Sequence, residues 1–207
     1  MRLLLIRHGE TAHNADRVAM GRQDVPLNER GLRQAQALAG ELRSGRFGPV
    51  AAVYASPLQR AQATAQAIAD ALGLAVQAAP ELIEMEIGEA EELSYAEIRE
   101  RYPAFIRAWL SDGAADAPMP GGETLRQVQE RAWAALTAIG ERHAEDTIAV
   151  VSHNFVILTL LCRILDLPLA QFRRLRQDVA AISWIELRPE RQTLLALNDC
   201  CHLGSDR

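Results

Sequence analysis

The chain has 207 residues, 49% of them apolar, and a formal net charge of -5 at pH 7; all 22 basic residues are arginine, and lysine does not occur. That length suits a single domain over residues 1–207 with a sizeable core. The acidic balance argues against a general nucleic-acid surface, and the lack of lysine excludes Schiff-base chemistry, pyridoxal phosphate attachment and a P-loop lysine.

No apolar run approaches the ~20 residues of a membrane span, and Leu3–Ile6 is too short for a signal-peptide core, so a cytoplasmic protein without membrane partners is expected. Cys162, Cys200 and Cys201 do not form a disulfide framework: two are adjacent and one lies in a helical apolar run, as expected of reduced thiols. Metal-ligand spacing is missing too, and no metal or other cofactor is expected. An anion site would therefore be a local cluster of Arg and His inside an acidic protein.

In chain order, the first element is Leu3–Ile6, apolar without alternation, as in a central parallel strand covered on both faces. It ends in Arg7-His8-Gly9, where Gly9 lets the backbone take an unusual conformation and an anion approach its amide. The plain alternative is a surface turn after an edge strand. Ala15–Pro26 reads as a polar connector. Asn28 then caps a helix from about Glu29 to Arg43, with Leu32, Ala35, Leu38, Ala39 and Leu42 as its apolar stripe. After a turn over Ser44–Pro49, Val50–Ala55 is a second apolar strand. Ser56-Pro57 follow as N-cap and first helical residue of a helix that runs to Leu72 and stops at Gly73. Arg60, one turn in, is near enough to lean back toward the strand end; alone it would be a solvated helix arginine.

Leu74–Ala78 is a third, short strand. Glu81–Glu92 carries six glutamates in twelve residues, ordinarily a solvated face. Leu82, Ile83, Met85 and Ile87 interleave with Glu84 and Glu86, however, so one carboxylate can be held against packed structure. Ser94 and Glu97 form a capping box for a helix that Pro103 interrupts and that resumes through Trp109. Asp112–Gly122 is a long Gly/Pro/Ala-rich loop, a candidate active-site flap. Glu123–His143 is amphipathic, with Leu125, Val128, Leu136 and Ile139 in the core. Thr147–Val151 is a third strong apolar strand, ending in Ser152-His153-Asn154 and passing into a helix over Phe155–Leu165, so the opening pattern repeats. Ala180–Leu187 and Thr193–Leu197, joined across Arg188–Gln192, form an antiparallel hairpin at the sheet edge, which is where a homodimer would pair. Strands alternating with helices imply an α/β three-layer sandwich, a mostly parallel central sheet with helices on both faces.

In such sheets ligands gather beyond the carboxyl ends of the strands. Arg7 with His8, Arg60 and His153 all stand at strand ends or following helix starts, which describes a pocket for a doubly charged phosphate. Phosphoryl transfer further needs a nucleophile or activated water, cations on the equatorial oxygens and a proton source for the leaving oxygen. With no cysteine in a phosphate-cradling loop and no suitable Asp cluster, the nucleophile is a histidine, kept neutral by the cations around it. His8, between Arg7 and Gly9, is that residue, and transfer would pass through a phosphohistidine. Glu84 would protonate the leaving group and then activate water. His13, His143 and His202 read as a connector contact, an exposed helix end and C-terminal packing.

Leu5-Ile6-Arg7-His8-Gly9-Glu10-Thr11 with Asn14, Ser56-Pro57-Leu58-Gln59-Arg60-Ala61, Leu82-Ile83-Glu84 with Gly88, Pro120-Gly121-Gly122-Glu123-Thr124 and Ser152-His153 occur in order across almost the whole chain. The set resembles the histidine phosphatase superfamily, in its phosphoglycerate mutase-like branch. Asp24-Val25-Pro26-Leu27 and the tail Leu197-Asn198-Asp199 with His202-Leu203 are similar to that family as well. The resemblance implies the phosphoglycerate mutase-like fold, His8 as the phosphorylated residue, and Arg7, Arg60 and His153 as the phosphate pocket. It further implies Asn14, Gly21 and Asn154 as phosphate contacts, Glu84 as the acid/base, and no metal. Met20 departs from the pattern, since the family often has a polar residue just before Gly21. Ala90-Glu91-Glu92 replaces the Trp-Glu-Gly of many family phosphatases. Asn154 replaces the usual glycine, with its backbone amide still able to donate. The lid and basic segment of the cofactor-dependent mutases are missing. A metal-independent phosphatase of small phosphomonoesters is expected. The alternatives are mutase-type transfer to a sugar acid, a metal-dependent phosphatase, and a non-catalytic phospho-ligand-binding module, against which intact His8 and Glu84 argue.

Overall fold

Over residues 1–188 and 190–206, which the computed structural model describes, apolar strands alternate with amphipathic helices. The order is β1 (Arg2–Arg7), α1 (Ala12–Asp16), α2 (Glu29–Arg43), β2 (Val50–Ala55), α3 (Gln59–Leu72) and β3 (Val76–Ala78). Then come α4 (Tyr95–Arg101), α5 (Pro103–Trp109), α6 (Leu125–Arg142), β4 (Thr147–Ser152), α7 (Asn154–Ile164), β5 (Ile182–Arg188) and β6 (Arg191–Asp199). The strands form one six-stranded sheet in the order β3-β2-β4-β1-β5-β6. β1 to β4 are mutually parallel, while β5 runs antiparallel to β1 and β6 antiparallel to β5. The expected edge hairpin is therefore present; its connection includes Pro189, which lies outside the described residues.

Burial explains why the central strands lack alternation. Leu3, Leu5, Ile148 and Val150 face a core shared with Leu125 and Leu136 of α6 and Ile157 and Leu161 of α7. Leu4, Ile6, Ala149 and Val151 face a second core built with Leu38 and Leu42 of α2 and Ala65 and Ile68 of α3. Both faces of the sheet are thus covered by helices, the α/β sandwich expected from sequence. The chain leaves β1 toward α2 on one face and leaves the neighbouring β4 toward α7 on the other. A crevice opens at that switch point, beyond the carboxyl ends of the two strands. Arg7 pairs with Ser152 across them, so the following residues, His8 and His153, emerge side by side.

Several local expectations change. Leu32 is 53% exposed; the inner face of α2 is Gly31, Gln34, Ala35, Leu38, Ala39 and Leu42. The reason is close packing of the loop after β1 on the start of that helix. A Cβ at Gly31 would lie 2.0 Å from the Glu10 carbonyl oxygen, and one at Gly9 would lie 2.6 Å from that of Gly31. Gly9 is therefore needed for this approach, and its amide donates to Thr64 Oγ1 at 3.1 Å instead of waiting for an anion. The cap of α3 is Leu58, not Ser56, so Arg60 sits in the first turn. The connector after α1 is not simply polar, since Ala19 and Met20 are buried. Within Asp112–Gly122, a 3-10 turn over Asp112–Ala115 and buried Ala114, Ala117 and Met119 pack against the body of the protein. His143 ends α6 but is not free in solvent, because its ring meets the Tyr54 hydroxyl at 2.9 Å and Asp146 at 2.8 Å. Among the described residues, no helix is long and apolar enough to cross a membrane.

Candidate active site

His8 and His153 are 2% and 0% exposed, with ring centroids 5.1 Å apart. Strand pairing continues onto His8, whose N–H donates to the Ser152 carbonyl and whose carbonyl accepts from Ala180. Its Nδ1 lies 2.7 Å from the Gly9 carbonyl oxygen. A carbonyl only accepts, so the proton is on Nδ1 and Nε2 carries a free lone pair. The partner of His153 sets the opposite tautomer. Ser56 Oγ stands 2.6 Å from Nε2 of His153 and accepts the Leu58 N–H at 3.4 Å. The serine proton is then directed at Nε2, and His153 carries its own on Nδ1, which is buried with no partner. The neighbouring rings thus carry a lone pair on one and an unpartnered N–H on the other. Burial is the first cause holding both rings well below the usual imidazole range; for His8 the charges of Arg60 and then Arg7 add to it. His153 is lowered further by His8, Arg60 and Arg7. Both imidazoles are neutral at pH 7.

Among the described residues, the two arginines donate to neutral oxygens. Arg7 donates from Nη1 to the Gln177 carbonyl at 2.8 Å and to Asn154 Oδ1 at 3.4 Å. Arg60, fully buried, donates to the carbonyls of Gln23 at 2.5 Å and Gly21 at 2.8 Å. The Nε of each is buried without a partner. Burial lowers both guanidinium pKa values, Arg60 to about 10, which leaves both charged at neutral pH. Buried charges ordinarily have a counter-ion, and removing one costs several kcal/mol. Two guanidiniums with unpartnered Nε–H groups and, among the described residues, no carboxylate at ion-pair distance describe a place for a dianion.

Of the six glutamates between Glu81 and Glu92, only Glu84 is turned inward. Its carboxylate accepts the N–H of Met85 at 2.8 Å and of Phe155 at 3.3 Å. Burial nonetheless raises its pKa above the ordinary carboxylate value. Arg131 fixes the backbone of this segment, reaching the carbonyls of Glu81, Ile83 and Glu84 while pairing with Glu123. The fork geometry of a guanidinium is what lets one side chain hold three carbonyls.

Seven of the eight predicted residues, Arg7, His8, Asn14, Gly21, Arg60, Glu84 and Asn154, line one cavity of about 310 Å³. The eighth, His153, is not in the lining, its ring centroid lying 5.1 Å from that of His8. Asn14 spends its side-chain oxygen on the N–H and hydroxyl of Thr11, at 3.2 and 3.1 Å, which leaves its NH2 group as a donor. Gly21 differs from expectation: its φ is +49°, a side chain there would strike Ile87, and its carbonyl is spent orienting Arg60. Asn154 also differs, since its side-chain oxygen, not its amide, is engaged, and on Arg7. Met20 presents a thioether, with Sδ 3.5 Å from Thr11 Oγ1. Sequence reasoning missed Ser56 as the tautomer-setting group and Gln177 as the anchor of Arg7. The Ser-Pro pair mimics a helix cap, and a backbone carbonyl such as that of Gln177 leaves no mark in composition. Among the described residues, no cluster of three or more His, Cys, Asp or Glu side chains is arranged to hold a metal ion.

A family model described as the histidine phosphatase superfamily (branch 1) matches residues 3–200. Phosphoserine phosphatase 1 of Hydrogenobacter thermophilus is 34% identical over 204 residues, covering 99% of this chain and 95% of that protein. Adenosylcobalamin/alpha-ribazole phosphatase of Escherichia coli is 33% identical over 198 residues, 96% of each chain. Among solved structures, Bacillus stearothermophilus YhfR superposes with a TM-score of 0.89 at 29% identity, over 98% of both chains.

Proposed function

The chain belongs to the histidine phosphatase superfamily, and we propose that it hydrolyses small phosphomonoesters by passing the phosphoryl group through Nε2 of His8. The observation that carries this reading is the Nε2 lone pair of His8, set by the Gly9 carbonyl at Nδ1, together with two guanidiniums that among the described residues have no carboxylate at ion-pair distance. Arg7 and Arg60, the Asn14 amide and the Nδ1–H of His153 hold the phosphate oxygens. Nε2 attacks phosphorus in line, and the bond from phosphorus to the ester oxygen breaks. Glu84, whose pKa burial raises, gives its proton to that leaving oxygen. The positive charge arriving on the His8 ring is met by the Gly9 carbonyl at Nδ1. Glu84, now a carboxylate, then takes a proton from water whose oxygen attacks phosphorus. The P–N bond breaks, and inorganic phosphate leaves a neutral His8. Positioned donors of this kind are worth about 10²–10³ in rate each, and the general acid about 10²–10⁴.

The same reading treats residues 1–207 as one such domain, acting in the cytoplasm without a metal ion. It takes the free outer edge of β6 as the surface of a homodimer. The test is p-nitrophenyl phosphate hydrolysis in the presence of a chelator, with acid-labile label sought on His8 by mass spectrometry. His8→Ala should abolish both turnover and label. Full activity in that variant, or turnover lost to the chelator alone, would defeat the proposed route.

A further inference from the structure

The rest of the cavity lining has a chemistry of its own. Apart from the phosphate-holding groups the lining is largely apolar, with Met20, Ile87, Ile98, Phe105, Trp109 and Phe155 in it. The Trp109 ring is fixed by its neighbours: Phe105 at 5.1 Å, Phe172 at 5.3 Å and Phe155 at 5.9 Å between centroids. Arg173 donates to the Trp109 carbonyl and lies 4.8 Å over the Phe172 ring, so the guanidinium at the rim is placed by the same cluster. Arg99 lines the cavity as well, and among the described residues neither it nor Arg173 has a carboxylate partner within ion-pair distance. Glu84 is the only acidic residue among the lining, and it lies at the phosphate end with both oxygens on backbone N–H groups.

We propose that this cavity selects phosphomonoesters whose leaving group is apolar and ring-sized, neutral or anionic at its far end, over esters of cationic or zwitterionic alcohols. The inference rests on the phosphatase reading and names the substrate class for the same site. A ring entering the cavity replaces water against a preformed aromatic wall. A carboxylate at its tip reaches Arg99 and Arg173. An ammonium there finds no counter-ion, meets four guanidiniums, and loses its hydration, so it is rejected by repulsion as well as by missing contacts.

Binding of non-hydrolysable phosphonates by calorimetry tests this without requiring turnover. Benzylphosphonate should bind about tenfold more tightly than methylphosphonate through the buried ring. Of its para-substituted forms, the carboxylate should bind at least about tenfold more tightly than the aminomethyl compound. Trp109→Ala, checked for an unchanged fold by circular dichroism, should bring the benzyl-to-methyl ratio to about twofold. Arg99→Gln should shrink the carboxylate preference. Equal affinity for methyl and benzyl phosphonates, or an aminomethyl compound that binds as well as the carboxylate, overturns the inference and leaves the phosphatase reading intact. If no phosphonate binds and p-nitrophenyl phosphate is not turned over, the phosphatase reading falls and this inference with it.

Discussion

Replacing Ser56 by alanine removes one oxygen that never meets the substrate. Its hydroxyl lies 2.6 Å from Nε2 of His153, and both side chains are fully buried. Without it, that nitrogen has no partner in either tautomer, at a cost of about 1–3 kcal/mol. For a chain of this length, each kcal/mol corresponds to about 2–4 °C in Tm, so a drop of a few degrees and up to about 12 °C is expected. The larger effect is chemical. In the parent the serine pins the His153 proton to Nδ1, the donor that the proposed route assigns to the transferring phosphoryl group. In Ser56→Ala the proton is free to move to Nε2, and a donor becomes a lone pair directed at an anion. We expect kcat for phosphoenzyme formation to fall by about 10–100-fold, toward the loss seen when a transition-state donor is deleted. Single-turnover kinetics with p-nitrophenyl phosphate measures the rate, and 15N chemical shifts of His153 report the tautomer. A stable Ser56→Ala protein with kcat within twofold of the parent, or a parent in which His153 carries its proton on Nε2, would refute the reasoning.

Glu84→Gln should separate esters by leaving group: alkyl phosphates should lose about 10²–10⁴ in kcat/KM and p-nitrophenyl phosphate less than tenfold in phosphoenzyme formation, since nitrophenolate needs no proton. Stability should depend on pH through the two buried histidines. Their native pKa values are depressed, so the stability they contribute is present above about pH 6.5 and is lost as pH falls toward the depressed values. The limiting slope is about 1.4 kcal/mol per pH unit for each, and the raised pKa of Glu84 acts in the opposite sense. Chemical denaturation between pH 7 and 5 checks this, and a flat profile contradicts it. Gly31→Ala puts a methyl group 2.0 Å from the Glu10 carbonyl oxygen; overpacking of this kind costs about 1–3 kcal/mol or more, and calorimetry should show a lowered Tm.

The chemistry was more legible than the scaffolding that aims it. Unbroken apolar runs ending in Arg7-His8 and in Ser152-His153 announce buried parallel strands, because covered strands have no solvent face to mark with polar residues. Glu84 could be picked from its run by the apolar residues on either side. Leu32 misled because α2 packs through a glycine and a glutamine, and hydropathy does not register a face made by close backbone approach. Ser56 misled for a related reason. The Ser-Pro signature fits a helix cap, while the hydroxyl is engaged by a histidine 97 residues away in sequence. The carbonyls of Gly21, Gln23 and Gln177 that hold the arginines belong to every residue type alike, so only the fold reveals which are used.

The residues proposed to grip phosphate hang mostly from the centre of the sheet, from the ends of β1 and β4 and the starts of α3 and α7 that follow strands. Ile98, Phe105 and Trp109 sit instead on α4 and α5, two short helices of seven residues each outside the sheet. The molecule is in this sense a fixed chuck with an interchangeable bit. Drift in the short helices redraws the shape that an alcohol must have while the reacting atoms keep their positions. Grafting residues 95–109 from a relative is accordingly the economical way to retarget the enzyme.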